Sequence, residues 1–216
     1  MSAVTTPLHT TWDEAEPTLR LLIAQTAAGL PAPRPVVVGI TGPVGSGKTT
    51  LARQLGGVLL STDHYLPDYA DLPETERDEP RHADLGLLAT HLGTLRQHTP
   101  IDRPEWCFHE HRRIGTRRVE PGPLVVCEGI FALQEQIQPH LDLAVFVDAP
   151  AEVRWARWEQ LETSGERGWG VERARRYFAR VAEPTFARFA GQYRAAADVV
   201  VCNDRAINDR EKGPRV

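Results

Sequence analysis

Residues 42–49, GPVGSGKT, constrain this chain more than any other stretch. They fit GxxxxGKT, a turn whose backbone N–H groups surround a polyphosphate while the following helix N-terminus adds partial positive charge. The β-branched run Val36, Val37, Val38, Gly39, Ile40 precedes it, of the kind found in a strand buried on both faces of a parallel sheet. A helix-compatible run follows from Thr50. Gly42, Gly45 and Gly47 permit backbone angles and close approaches that a Cβ would block, Lys48 reaches the β and γ phosphates, and the Thr49 hydroxyl can ligate Mg²⁺. Gly42, Pro43, Val44, Gly45, Ser46, Gly47, Lys48, Thr49 and Thr50 are therefore the expected nucleotide-binding set.

At 216 residues the chain holds one α/β domain's worth of core. With 25 Lys plus Arg against 29 Asp plus Glu, its formal charge of −4 excludes a general attraction to nucleic acid or anionic membrane. Phosphate affinity must be local. Cys107, Cys127 and Cys202 show no metal-ligand spacing and cannot all pair within one chain, which suits a reducing compartment, with the cytoplasm as the default. No basic segment followed by an apolar core opens the sequence, and no run reaches the ~18 apolar residues of a membrane span.

Residues 1–11 read as loose. A helix over 13–28, with Leu19, Leu22, Ile23 and Thr26 at helical spacing, ends at Gly29 and the Pro31, Pro33, Pro35 series. Residues 1–30 are thus expected to be an N-terminal extension with an accessory helix, 31–205 the phosphate-loop domain, and 206–216 a tail, with fraying after Cys202. Within the domain, helix 48–56 leads past Gly57 to strand 58–60, which delivers Ser61, Thr62 and Asp63 at its carboxyl end. Residues 67–82 read as loop, 83–97 as helix, and 100–121 as a hairpin or another excursion over the sheet edge. Strand 124–127 ends in Glu128 and strand 143–147 in Asp148. Helix 151–163, a glycine-rich lid at about 164–172, a long helix 171–195 and strand 199–201 complete the chain. Strands alternating with helices predict a three-layer α/β/α sandwich around a mainly parallel sheet, with a small lid.

An acid at the end of an apolar strand, downstream of a phosphate loop, is the second half of a Mg-nucleotide site. Asp63 reads as a general base for an acceptor hydroxyl, and Thr49, Asp63 and Glu128 form the expected metal set. For Asp148, before Ala149 and Pro150, helix capping is the plainer reading.

The order GPVGSGKT, STDHY, Asp78–Pro80–Asp84, PEWCFHEHRR, CEG, FVDAPAEVRWAR, ERG, EPTFARF and ADVVV resembles the uridine kinase and phosphoribulokinase superfamily of P-loop kinases, and most closely uridine/cytidine kinase, over about residues 36–201. The resemblance implies a Mg-ATP-dependent kinase passing the γ-phosphate to a hydroxyl, foremost the 5′-OH of a pyrimidine nucleoside. The same chemistry on another nucleoside, a vitamin precursor or a sugar phosphate is the alternative. It implies Asp63 as catalytic aspartate, Glu128 beside Mg²⁺, Asp78 on ribose hydroxyls, His111 and Arg113 as an acceptor-binding HxR pair, and Phe108 against the base. Tyr65 and Trp106 complete the acceptor set, and Arg154, Arg157 and Arg167 match arginines that close on the phosphates. It also makes a homo-oligomer plausible.

Trp106 and Cys107 stand where the family carries Tyr and Asp, Leu66 where a Tyr is usual, and Trp158, Leu161 and Trp169 where its lid tends to carry Arg. Fewer guanidiniums and more apolar surface suit a less polar acceptor or a different lid closure. Two plainer roles stay open: Trp106, Phe108 and Trp155 as core rings, and Arg154 and Arg157 as partners of Glu152 or Glu159. A regulatory NTPase is the rival class. Its guanine-reading NKxD motif is absent, since Asn203–Asp204 and Asn208–Asp209 lack the pattern.

Overall fold

The structure, a computed structural model, describes residues 6–205. A short strand, β1 (Leu8–Thr11), runs directly into the 18-residue helix α1 (Trp12–Gly29). β2 (Val36–Thr41) is buried at all six positions and feeds the phosphate loop and α2 (Lys48–Leu55). β3 (Val58–Ser61) ends in a 3₁₀ turn, Thr62–Tyr65. α3 (Leu85–Arg96) is capped by Asp84, whose carboxylate accepts the Leu87 N–H at 3.1 Å. Then come β4 (Ile101–Cys107), β5 (Arg112–Val119), β6 (Leu124–Glu128) and β7 (Leu143–Asp148), followed by α4 (Ala151–Thr163), α5 (Val171–Tyr177), α6 (Glu183–Ala196) and β8 (Val199–Cys202).

Six strands form one parallel sheet in the order β1-β8-β7-β2-β6-β3. Successive side chains on a strand point to opposite faces, so each apolar strand feeds two cores. Val36, Val38, Ile40 and Val126 pack under α1 and α2, while Val37, Leu60, Val125 and Cys127 pack under α3. Ala144, Phe146 and Val200 meet Phe186 and Tyr193 of α6. Helices therefore cover both faces, and all strands deliver their carboxyl ends to one edge, where the phosphate loop lies. Among the described residues, no helix is long and apolar enough to cross a membrane.

Three local expectations change. Residues 8–11 are not loose: β1 pairs with β8 from Leu8↔Val199 to Thr11↔Cys202, and only Thr10 is buried, so there was no alternation to read. The chain is not frayed directly after Cys202, because Asn203 is buried, its amide N–H donates to the Asp148 carbonyl at 2.8 Å and its side chain donates to the Ser46 carbonyl at 2.7 Å. Residues 206–216 lie outside the described residues. The helix expected over 171–195 is broken by a π turn, Phe178–Ala182, just before Pro184. Proline has no N–H and its ring crowds the carbonyl four residues back, here that of Arg180, so the wider turn relieves the clash. The excursion at 100–121 is an antiparallel hairpin, β4–β5, with a register shift at Glu105/Trp106. Asp148 pairs with Arg194, while Pro150 stands at the start of α4.

The sheet is anchored at its amino edge by Asp142, whose side chain is 8% exposed. It accepts two bonds from Arg34 at 2.8 Å, one from Arg96 at 2.6 Å and the Val37 N–H at 2.9 Å. Burial alone would raise its pKa, but the Arg34 and Val37 hydrogen bonds and the charge of Arg96 outweigh it and hold the carboxyl below the ordinary range. A depressed carboxylate contributes stability above its unfolded-state pKa and loses it as pH falls through the folded value. Asp142→Asn should therefore cost about 2–4 kcal/mol at pH 7 in denaturant melts, with the deficit shrinking below about pH 4. An equal deficit at pH 3 and pH 7 would show that the charge is not what matters there.

Candidate active site

The phosphate loop is shaped by what surrounds it. A Cβ on Gly42 would run into the Val147 carbonyl oxygen. Gly47, at φ 104, starts α2 in a backbone region that disfavours side chains, and a Cβ there would lie 2.5 Å from the Asn203 amide and 3.1 Å from the Trp12 ring. Arginines hold the loop from outside: Arg154 Nη1 donates to the Val44 carbonyl at 3.4 Å, and Arg157 Nη1 to those of Gly45 at 3.0 Å and Ser46 at 3.3 Å.

Lys48, the first residue of α2, is buried and donates from Nζ to the Pro43 carbonyl at 2.9 Å. Burial lowers its pKa to about 8 against the opposing pull of Glu128 and Asp63. Glu128 ends β6 in register with Ile40 of β2 and Ser61 of β3, so it sits between the tips of both neighbours. Its Oε2 accepts from the Thr49 hydroxyl at 3.1 Å. Burial, then the charge of Asp63, raises its pKa, while Lys48 and hydrogen bonds from Ser61 and Thr49 oppose the rise. Asp63 lies in the turn after β3, its N–H bonded to Ser61 Oγ at 3.3 Å. Two carboxylates, a hydroxyl and one ammonium thus converge on one sheet edge. Among the described residues, no group of three or more His, Cys, Asp or Glu could hold a metal. Two acids and a hydroxyl fit Mg²⁺ instead, which keeps waters and phosphate oxygens in its octahedron, and added positive charge would relieve the repulsion that raises Glu128. Ser46 Oγ and Thr62 Oγ1 are buried without a partner, as befits groups kept for a polar ligand.

The acceptor-side residues divide. Asp78 accepts the Tyr177 hydroxyl at 2.7 Å, and burial raises its pKa to about 6 against that bond. Phe108 lies under the Arg167 guanidinium, 4.2 Å from ring centre to Cζ. His111 stacks on Tyr69 at 5.6 Å and meets Trp106 edge-on at 5.9 Å. Trp106 itself is buried and donates to the Pro67 carbonyl at 3.3 Å, which makes it a wall. Two residues predicted to bind the acceptor serve the scaffold. Tyr65 is fully buried, its hydroxyl bonded to His91 Nδ1 at 2.8 Å. Arg113 donates to the Leu66 and Tyr65 carbonyls, both at 3.1 Å, and so pins the segment after Asp63 to the hairpin.

Two of the three predicted phosphate arginines are likewise committed elsewhere. Arg154 is buried, bidentate on Glu183, and donates from Nε to the Ala149 carbonyl at 2.9 Å. Arg157 holds the loop carbonyls and the Asn203 side chain, at 2.9 Å. Arg154 is thus engaged by Glu183 and not by Glu152 or Glu159. Arg167 remains next to the site, where its charge acts on Lys48. Sequence reasoning missed Asn203, Glu183 and Tyr177. Only Asn203 left a signal, as a polar residue directly after a buried strand, like Asp63 and Glu128.

Comparisons with known proteins give the family and the fold. A model of the Phosphoribulokinase / Uridine kinase family matches residues 68–207. Proteins named uridine kinase from Deinococcus deserti and Clostridium perfringens are 37% and 34% identical over 182 residues, covering 78% of this chain and 87% of each relative. Among solved structures, a fructose transport system kinase of provisional designation from Silicibacter sp. TM1040 superposes with a TM-score of 0.65 at 19% identity, over 84% of this chain and 98% of that one. A possible uridine kinase from Bacillus stearothermophilus does so at 0.51 and 22%, over 85% and 99%. These two show a shared fold, and the sequence matches show more: the chain belongs to the phosphoribulokinase / uridine kinase family.

Proposed function

We propose that this protein is a Mg-ATP-dependent nucleoside kinase that passes the γ-phosphate to the 5′-hydroxyl of a pyrimidine nucleoside, uridine first. The observation that carries the proposal is the meeting of Lys48, Glu128 and Asp63 at the mouth of the phosphate loop, in a chain whose relatives are named uridine kinase. Lys48 and the loop amides hold the β and γ phosphates, and Thr49 and Glu128 would hold Mg²⁺. Held there, the ion would supply positive charge to offset that of the phosphates. Asp63 accepts the proton of the attacking hydroxyl. Asp78 orients the ribose diol, a task that needs its ionised form and hence a pH above about 6. Arg167 neutralises charge developing on the transferred group, and the lid around it excludes water. A small acceptor rather than nucleic acid or membrane is the partner, and free Cys107, Cys127 and Cys202 suit the cytoplasm.

ADP release measured across uridine, cytidine, other nucleosides, vitamin precursors and sugar phosphates tests the acceptor: robust turnover with uridine or cytidine is expected, and none with either removes the proposal. Asp63→Asn should leave ATP binding nearly intact and cut phosphoryl transfer by ~10²-fold or more. Unchanged turnover would refute Asp63 as base.

Burial depresses the Lys48 pKa and a bound polyphosphate must raise it again, so binding takes up a proton as Lys48 deprotonates in the free protein. Metal-free ATP affinity is therefore expected to weaken about three- to tenfold between pH 7 and pH 9, by calorimetry, and Lys48→Arg to flatten that profile. The same slope in both proteins would assign it to another group.

A further inference from the structure

The lid and α5 already bond two groups that the proposed acceptor would use. His111 sits at the hairpin turn with φ 54, a conformation uncommon outside glycine, held by its N–H on the Cys107 carbonyl at 2.7 Å and by the Tyr69 N–H on its own carbonyl at 2.9 Å. Its ring is sandwiched between Tyr69 and the indole of Trp169, the latter at 5.4 Å and 28°. Trp169 Nε1–H donates to His111 Nε2. An indole has a donor and no acceptor, so this bond fixes the imidazole proton on Nδ1 and occupies the acceptor nitrogen. Trp169 is itself held firmly: its N–H and that of Gly170 both donate to Glu162 Oε2 at 3.0 Å, and Tyr177 meets its ring edge-on at 4.5 Å. Tyr177 in turn bonds Asp78.

We infer that Trp169 is a specificity-determining residue of the acceptor site, an assignment that rests on the nucleoside kinase reading. Its indole N–H holds the place at His111 Nε2 that the acceptor must take, and its ring forms the lid-side wall of an aromatic slot. An acceptor reaches His111 only by opening that bond, and afterwards the half-buried His111 Nε2, walled by Tyr69 and Trp106, has lost its donor and is best served by a newcomer that supplies another. The chemical class selected is a nucleoside with a flat base bearing an N–H or amine donor. A bare sugar phosphate loses both the stacking and the hydrogen bond. Tyr177 applies the same rule to Asp78, where a ribose hydroxyl replaces the phenol.

The test uses uridine, 3-methyluridine, which lacks the ring N–H, and Trp169→Phe, which keeps a ring and removes the donor. The wild-type indole N–H signal of Trp169, identified by its loss in the variant, is expected to move on saturation with uridine. Wild type should favour uridine over 3-methyluridine at least tenfold in kcat/KM. In Trp169→Phe the KM for uridine should fall at least threefold with the KM for ATP unchanged. An indole signal unmoved by saturating uridine, or a KM for uridine no lower in the variant, overturns the inference. Should wild type phosphorylate no nucleoside, the functional reading falls, and amide exchange over residues 164–170 then decides the lid contact by itself. Faster exchange in both Trp169→Phe and His111→Phe supports it, and wild-type rates in both overturn it.

Discussion

One buried ammonium balanced against two carboxylates sets the terms for the rest of this molecule. Taken from water, Lys48 is pushed toward its neutral form and Glu128 toward its protonated one, and each is kept charged mainly by the other. Asp63 adds a second negative charge that Lys48 alone does not cancel. Such a site is poised for a ligand that brings its own anion and cation together. Its position depends on strand register: a slip of one residue in β6 would turn Glu128 to the opposite face and bury Cys127 and Val126 the wrong way round. The apolar cores on both faces of the sheet thus fix the electrostatics at its edge.

The loop that carries Lys48 is held by its carbonyls. Val44, Gly45 and Ser46 each present a carbonyl oxygen to Arg154, Arg157 or Asn203, donors that come from α4 and from the end of β8. Carbonyls held from outside fix the peptide planes between them, which is the preorganisation a polyphosphate-binding turn requires. Arg154 and Arg157 therefore bear on the loop through its backbone. Glu183 orients Arg154, which explains why a glutamate directly before Pro184 matters to a loop so distant in sequence.

Much of this was legible beforehand. The apolar run of β2, the glycine pattern after it and the acids at or just beyond the ends of β6 and β3 gave layers and sheet edge, because a strand buried on both faces and a turn that tolerates no Cβ leave few alternatives in sequence. What stayed hidden was pairing at a distance. β1 has one buried residue and no alternation, the π turn is imposed by a proline downstream, and the partners of Arg154, Tyr65 and Arg113 lie 29, 26 and up to 48 residues away. Side chains of these types read equally well as ligand-binding or scaffold until the fold says which hydrogen bonds they have already spent.

The same distinction separates the lid from the pattern the family led one to expect. Trp158 and Trp169 stand at positions where guanidiniums were anticipated, and they build an aromatic cluster with Tyr177 and Phe178 that packs against Val44 of the phosphate loop. The lid is held by ring packing and by Glu162, which gathers the Trp158 indole and two lid amides. Arg167, which brings the lid's charge toward Lys48, rests on Phe108 of the hairpin. Sequence identity alone would not have revealed that support, since it resides in a cation–π contact between two excursions from the sheet, far apart in the chain and joined only by the fold.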